Sequence, residues 1–367
     1  MWTSENQMNS ADAATEQRTH TLVEIFSQPQ CWKECLRQLQ ASGNIDAAVK
    51  IAKPGAEWLL IGCGSSYYLA LAAAATFTHL GLPARAVPAS EILLYPELSM
   101  PAGRDYNPVM ISRSGLTSEV VRATRMLEQK NIATTAITCA DGQPLESFSS
   151  VCLKLLAADE KSTVMTRSFT SMLLGLQYLA AKVSGNEPFR QALLQMPDQV
   201  FPLLQDLPGE LRSFVQFHRF ADYVFLAQGP LFGIANEAML KVSEASCSYA
   251  QVFHTLEFRH GPKAIVGPET LITFFLSETS CESEVNVLEE VKGLGGTVLA
   301  VTNSASDRIR SASDFVIALG LSVPEFARLA AFTLWGQLSG VYTGLHKGLN
   351  PDSPKNLSRV VVLDGQH

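Results

Sequence analysis

The feature that most constrains this chain is an alternation of strand, turn and helix that runs, stops and then runs again. Short β-rich runs at Trp58–Gly62, Val109–Ser112, Thr134–Thr138 and Cys152–Leu156 alternate with helical patterns near 67–80, 117–129 and 168–184. Such an order builds a parallel sheet, because parallel strands need crossover connections and the intervening helices supply them. Residues 189–220 interrupt it with a helical linker in which Pro202 and Pro208 read as breakers. A second series follows, with strands at Tyr223–Ala227, Leu271–Leu276, Thr297–Val301 and Phe315–Ala318 and helices near 231–248, 283–293 and 324–346. Shared order and length make this an internal duplication of an α/β unit, roughly 45–185 and 219–348.

The flanking segments are shorter. Residues 1–44 read as a loose tail to about residue 18 and a helical arm with patterns at Leu22–Gln28 and Cys31–Ala41; 45–185 is the first domain, 186–218 a helical linker, 219–348 the second domain and 349–367 a tail. The apolar end of that tail, Val360–Leu363, is expected to pack back onto the body. A length of 367 residues suits two domains of about 150 each.

Charge and cysteine content exclude several classes. With 28 basic against 35 acidic residues the net charge is −7, so the footprint of a general nucleic-acid binder is missing. Seven scattered cysteines form no CxxC pair and no zinc spacing, and read as reduced, mostly buried thiols. Met1–His20 lacks the basic start and apolar core of a secretory signal, and no window approaches 18 uninterrupted apolar residues. The expectation is a cytoplasmic protein with no membrane or nucleic-acid partner, no metal and no cofactor.

In open parallel sheets ligands bind beyond the carboxyl ends of the strands, where helix N-termini present unpaired N–H groups. Two turns there suit an anion: Gly62-Cys63-Gly64-Ser65-Ser66, and Ser112-Arg113-Ser114-Gly115-Leu116-Thr117-Ser118. Glycines admit close approach, hydroxyls donate, and Arg113 adds a full charge. Either turn alone could merely cap a helix; the pair in one sheet favours a phosphate site. Neither matches GxxxxGK[ST] or GxGxxG, which argues against a nucleoside triphosphate or a dinucleotide. The second half lacks the serine pair, having Gln228-Gly229-Pro230 at the equivalent place, so one half is expected to grip the anion and the other to serve a different task.

That task points to proton transfer. Glu237, Lys241, Glu244 and Ser248 fall on one narrow stripe of a helix, with Ala238, Met239, Val242 and Ala245 on another arc. The plain alternative is a solvated Glu237–Lys241 pair with Glu244 as bystander. The following Phe253–Lys263 run gathers two histidines with Glu257, Arg259 and Lys263, and His260 beside Gly261 and Pro262 is placed in a charged loop before the Leu271 strand. A carboxylate and an imidazole are what aldose–ketose chemistry needs, one to move a proton between adjacent sugar carbons and one to open the ring.

The residues resemble those of the tandem sugar-isomerase (SIS) domain proteins over roughly 45–364, both the isomerase half of glucosamine-6-phosphate synthases and, more closely, the AgaS-type tagatose-6-phosphate ketose/aldose isomerases and galactosamine-6-phosphate deaminases. The matching stretches are Gly62–Ser66, Ser112–Thr117, Met165–Thr170, Glu237–Glu244, Phe258-Arg-His-Gly-Pro-Lys263 and Asn350–Pro354. This implies two tandem doubly wound, flavodoxin-like parallel-sheet SIS domains with an N-terminal arm and a C-terminal tail. It implies that Ser66, Ser112, Arg113, Ser114 and Thr117 hold a sugar phosphate, that Ser65 and the Thr163–Thr166 segment touch the sugar, that Glu244 is the C1/C2 general base and that Lys241 steadies developing charge. His260 matches a ring-opening histidine that the family takes from a neighbouring subunit, so a homodimer or higher oligomer is implied.

Two departures stand beside the likeness. The synthases carry in their tail a lysine that can form a Schiff base; here the aligned residue is Arg359, which does not deprotonate, with Lys355 one turn earlier. Residue 2 is Trp2 and no glutaminase domain is read before the first sheet, so a glutamine-using synthase is not expected. The expected activity is ketose/aldose isomerisation of a hexose 6-phosphate or amino-hexose 6-phosphate, with ammonia release for the amino sugar. The alternatives are a fructosamine 6-phosphate deglycase and a non-catalytic sugar-phosphate sensor.

Overall fold

A computed structural model describes residues 19–363, so the tail read at 1–18 lies outside the described residues. The arm has three helices: α1 (His20–Phe26), α2 (Gln28–Ser42) and α3 (Asn44–Ile51), the last unforeseen. The first domain runs β1 (Glu57–Gly62), α4 (Ser65–His79), β2 (Ala84–Pro88), α5 (Ala89–Leu94), α6 (Pro96–Ser99), β3 (Tyr106–Ile111), α7 (Ser118–Gln129), β4 (Thr135–Thr138), α8 (Pro144–Ser147), β5 (Val151–Lys154) and α9 (Arg167–Ser184). Helices α10 (Glu187–Val200) and α11 (Leu203–Phe217) connect to the second, β6 (Asp222–Ala227), α12 (Leu231–Ser246), β7 (Ala250–His254), β8 (Thr270–Phe275), α13 (Cys281–Gly293), β9 (Thr297–Thr302), α14 (Asp307–Ser311), β10 (Phe315–Ala318) and α15 (Leu329–His346).

Both sheets are wholly parallel, ordered β2-β1-β3-β4-β5 and β10-β9-β8-β6-β7. Read from its own first strand each is 2-1-3-4-5, the flavodoxin-like order, so the duplication extends to topology. The inner strands β3 and β8 are buried at every position, as strands covered on both faces must be.

The sequence reading missed β2 and β7, which are edge strands. They are short and half-buried, with burial on few positions, so neither shows the apolar run that marks an inner strand. Consequently the region after Ala250 opens as a strand before becoming the loop expected there. Of the two expected breakers, Pro202 does separate α10 from α11, whereas Pro208 lies inside α11 and Pro197 inside α10. The tail does return to the body, with Ser118 N–H donating to the Val361 carbonyl and Leu363 N–H to Ser118 Oγ, but Val361, Val362 and Leu363 stay about half exposed instead of packing inward.

One core spans both domains. It runs from Trp32 on the arm through Leu69 on α4 and Phe169 on α9 to Ile234 on α12 and Trp335 on α15, while smaller clusters line the outer face of each sheet. Helix α12 is held between α4 and α15. The approach to α15 is close because Gly336, Gly340 and Gly344 recur every fourth residue: a Cβ at Gly340 would lie 2.7 Å from the Lys241 carbonyl carbon and oxygen, and one at Gly344 would lie 2.1 Å from the Ala245 oxygen. On the other side a Cβ at Gly233 would lie 2.7 Å from the Ala72 nitrogen and the Tyr68 oxygen.

Candidate active site

A cavity of about 210 Å³ opens where the carboxyl end of the first sheet meets α12. The turn after β1 supplies Ser65 and Ser66, the turn after β3 supplies Arg113, Ser114 and Thr117, the loop before α9 supplies Thr163 and Met165, and α12 supplies Glu244. Tail residues Ser358–Val361 close it as a strap. Two helix N-termini, those of α4 and α7, therefore face one space together with several hydroxyls, which is an anion-binding arrangement.

Five of the thirteen expected site residues lie outside the lining. Ser112 stands behind it, 1% exposed, its hydroxyl 3.0 Å from Thr117 Oγ1, so it orients Thr117. Thr166 is buried and gives both its N–H and its hydroxyl to Glu160. Lys241 lies beneath Glu244. Lys355 is exposed on the tail, and His260 is exposed beyond β7, away from its own chain's cavity. His254 stacks on Phe232 with ring centroids 3.7 Å apart, a packing role.

Arg113 lines the cavity with its charge already engaged. Its guanidinium sits 3.3 Å from Glu160 and donates to the carbonyls of Thr163 (3.0 Å) and Arg359 (2.6 Å). It thus ties the strap and the α9 loop to the turn after β3. Glu160 completes the tie by accepting from Thr166 and Ser168, and Arg359 turns its own guanidinium to Asp159. From the arm, Glu24 accepts from the N–H groups of Lys161 and Ser162, fixing the same loop. Glu24, Glu160 and Glu119, which also lines the cavity, were not singled out in the sequence; the available signal was acidic residues beside Ser/Thr-rich turns at helix starts.

The helix stripe is not a solvated pair. Glu237 and Lys241 are both fully buried, because α12 is covered by α4 and α15, and only Glu244 keeps a 19% exposed side chain at the cavity wall. Lys241 bonds Glu244, lies 3.3 Å from Glu237 and donates to Ser65 Oγ at 3.4 Å. Burial pushes the Glu237 carboxyl up to about 8, against the pull of Lys241 and with a push from Glu244. Burial alone would lower Lys241, but the two carboxylates outweigh it and hold the ammonium charged. The member of this buried set that the cavity meets is Glu244, with the Lys241 ammonium directly beneath it.

A raised carboxyl costs stability where the unfolded chain would ionise and the folded chain does not. The Glu237 contribution is present below the unfolded value near 4.5 and is lost as pH rises towards about 8. Glu237→Gln, which mimics the protonated acid, should flatten that decline; urea midpoints measured between pH 5 and 8.5 check it, and parallel profiles for variant and parent would count against the assignment.

Two doubly wound parallel sheets, with a hydroxyl-lined cavity and a buried Glu–Lys–Glu set at the carboxyl end of the first, define a tandem α/β class of protein. The SIS domain family matches residues 50–182 and 222–339, and the chain belongs to that family. Among solved structures it is similar to the tagatose-6-phosphate ketose/aldose isomerase of Escherichia coli (TM-score 0.84, 23% identity, 95% of this chain and 97% of that one). It is also similar to the glucosamine-6-phosphate deaminase of Thermotoga maritima (TM-score 0.77, 29% identity, 94% and 100%). The glutamine–fructose-6-phosphate aminotransferase (isomerizing) of Chlamydia pneumoniae is 28% identical over 94% of this chain, which spans 58% of that protein. Among the described residues no helix is long and apolar enough to cross a membrane.

Proposed function

We propose that this protein is a phosphosugar isomerase or deaminase acting on a hexose 6-phosphate or amino-hexose 6-phosphate. The observation that carries the reading is the meeting of a buried Glu237–Lys241–Glu244 set with a hydroxyl-lined cavity at two helix N-termini. The phosphate is held by Ser66, Ser114 and Thr117 with the N-termini of α4 and α7; Glu244 takes the proton from one sugar carbon and returns it to the next. Lys241, in contact with Glu244, places a positive charge beside the charge that develops on the sugar oxygens. With an amino sugar the same transfer yields an imine, and water then releases ammonia.

The similarity of this chain to both a tagatose-6-phosphate isomerase and a glucosamine-6-phosphate deaminase supports the two-substrate range. A cavity of about 210 Å³ is below the ~300–1,000 Å³ of most small-molecule sites, consistent with a strap that must shift for entry. Incubation with glucosamine and galactosamine 6-phosphates and with a fructosamine 6-phosphate, read by ammonia, amine and ketose formation, tests the reaction. Tight binding without turnover of any of them would replace the enzyme with a sensor.

Two expected results bear on the parts. Ser114→Ala with Thr117→Ala removes two hydroxyl donors, so phosphorylated sugars should bind at least about tenfold more weakly; titration calorimetry checks this, and unchanged affinity would remove both from the site. His260 is exposed and outside its own chain's cavity, which suits service to a second copy. If so, inactive Glu244→Gln and His260→Asn chains, mixed and allowed to exchange subunits, should regain up to about a quarter of parental activity, since a mixed dimer has one intact site. No recovery on proven exchange would place the histidine in cis or outside the reaction.

A further inference from the structure

A second cavity, about 430 Å³, lies at the opposite face of the second domain, where the end of α11, the start of β6 and the end of α15 converge. Its cationic groups are Arg219 and Lys347, the imidazoles of His218 and His346 stand beside them, and no carboxylate is among the lining residues, in a chain whose net charge is −7. Phe220, Tyr223 and Val215 form an apolar wall. The volume falls within the ~300–1,000 Å³ of small-molecule sites.

The positive groups are not there to finish the helix. The last carbonyls of α15 are taken by backbone donors: Lys347 N–H to Thr343, Gly348 N–H to Leu345 and Leu349 N–H to Gly344. The Lys347 side chain instead lies over the Tyr223 ring, 5.7 Å from its centroid, and donates to Ser248 Oγ at 2.6 Å, with no acidic partner among the described residues. Burial lowers its pKa, the mark of an ammonium short of compensation. His218 is fixed by stacking on Phe220 (5.2 Å) and by its Nδ1, 2.8 Å from the Phe214 carbonyl, which leaves Nε2 for another partner. Cations held beside an apolar wall without counter-charge call for an anion with an organic body.

We propose that this cavity binds an organic phosphoester, its phosphate between Arg219, Lys347 and His346 and its organic part along Val215, Phe220 and Tyr223. The ester could come from a sugar phosphate or from a nucleotide, and the titration separates them. The full chain carrying Ser114→Ala and Thr117→Ala, which weakens the first site, is titrated with inorganic phosphate, fructose 6-phosphate and a nucleoside 5′-monophosphate. At least one ester should still bind and do so more tightly than inorganic phosphate; the tighter ester names the source. Arg219→Gln or Lys347→Met, neither in the catalytic set, should weaken that binding at least about tenfold, and Lys347→Arg should largely keep it. Arg219 is exposed, so its variant does not put folding at risk. No ester binding at millimolar concentration, inorganic phosphate binding as tightly as the esters, or indifference to both substitutions would each overturn the proposal.

Discussion

Glu244→Gln should lower turnover at least about a hundredfold and leave sugar-phosphate affinity within a few-fold of the parent. A general base contributes about 10²–10⁴ in rate, and Glu244 is the one member of the buried set that reaches the cavity. The amide keeps shape and can still accept from Lys241, so the helix should not move. Glu237 stays 3.3 Å from the Lys241 ammonium, so the buried cation keeps an acidic neighbour. Folding should therefore be kept while catalysis is lost, the opposite of what removing Lys241 would do, since that takes away the cation that both Glu237 and Glu244 face. Steady-state rates with calorimetric binding separate the two effects; near-normal turnover would take the base assignment away from Glu244.

Gly340→Ala with Gly344→Ala should cost about 3 kcal/mol or more of stability and most of the activity. In an open helix such changes stabilise by up to about 1 kcal/mol. Here the added methyls would meet the backbone of α12 at Lys241 and Ala245, at 2.7 and 2.1 Å, and a main chain cannot rotate away as a side chain can. The helices must separate, taking Lys241 and Glu244 with them. Gly209→Ala is the matched control: that glycine is also helical, on α11, exposed and with nothing within 4 Å of the added carbon, so it should hold or gain stability. Urea unfolding of the three proteins reads the difference, and equal midpoints would show that α12 and α15 have slack.

Much of this architecture was legible because inner parallel strands are buried on both faces and so appear as apolar runs; β1, β3, β4 and β8 all did. Edge strands β2 and β7 left no such mark. At the site, glycine- and serine-rich turns revealed the cavity end of the first sheet, yet nothing local could show that the Arg113 guanidinium is spent on Glu160 and on the carbonyls of Thr163 and Arg359, which lie 47 to 246 residues away. Burial of Glu237 and Lys241 was also hidden, since a charged stripe reads as a wet face until the covering helices are known. The spacing of Gly336, Gly340 and Gly344 was visible and is the signal that would have revealed that cover.

The repeat has one more consequence. β6 begins 165 residues after β1 (222 − 57), and at that offset Tyr68 and Gly233, which touch across the α4–α12 packing, exchange places, so a pseudo-twofold axis passes between them. The axis creates a symmetry-related position for the buried acid–base stripe, and there Glu237, Lys241 and Glu244 are answered by Ala72, Thr76 and His79. Thr76 accepts from Gln177 and His79 is stacked on Phe326, and no carboxylate stands at any of the three positions. The counterpart of the turn after β3 is filled: Glu284 accepts from Ser277, Ser280 and Thr255, seating the protein's own carboxylate at the start of α13. The two halves thus share a topology but not a chemistry: the buried Glu–Lys–Glu set belongs to the second half alone, and its counterpart in the first half serves packing.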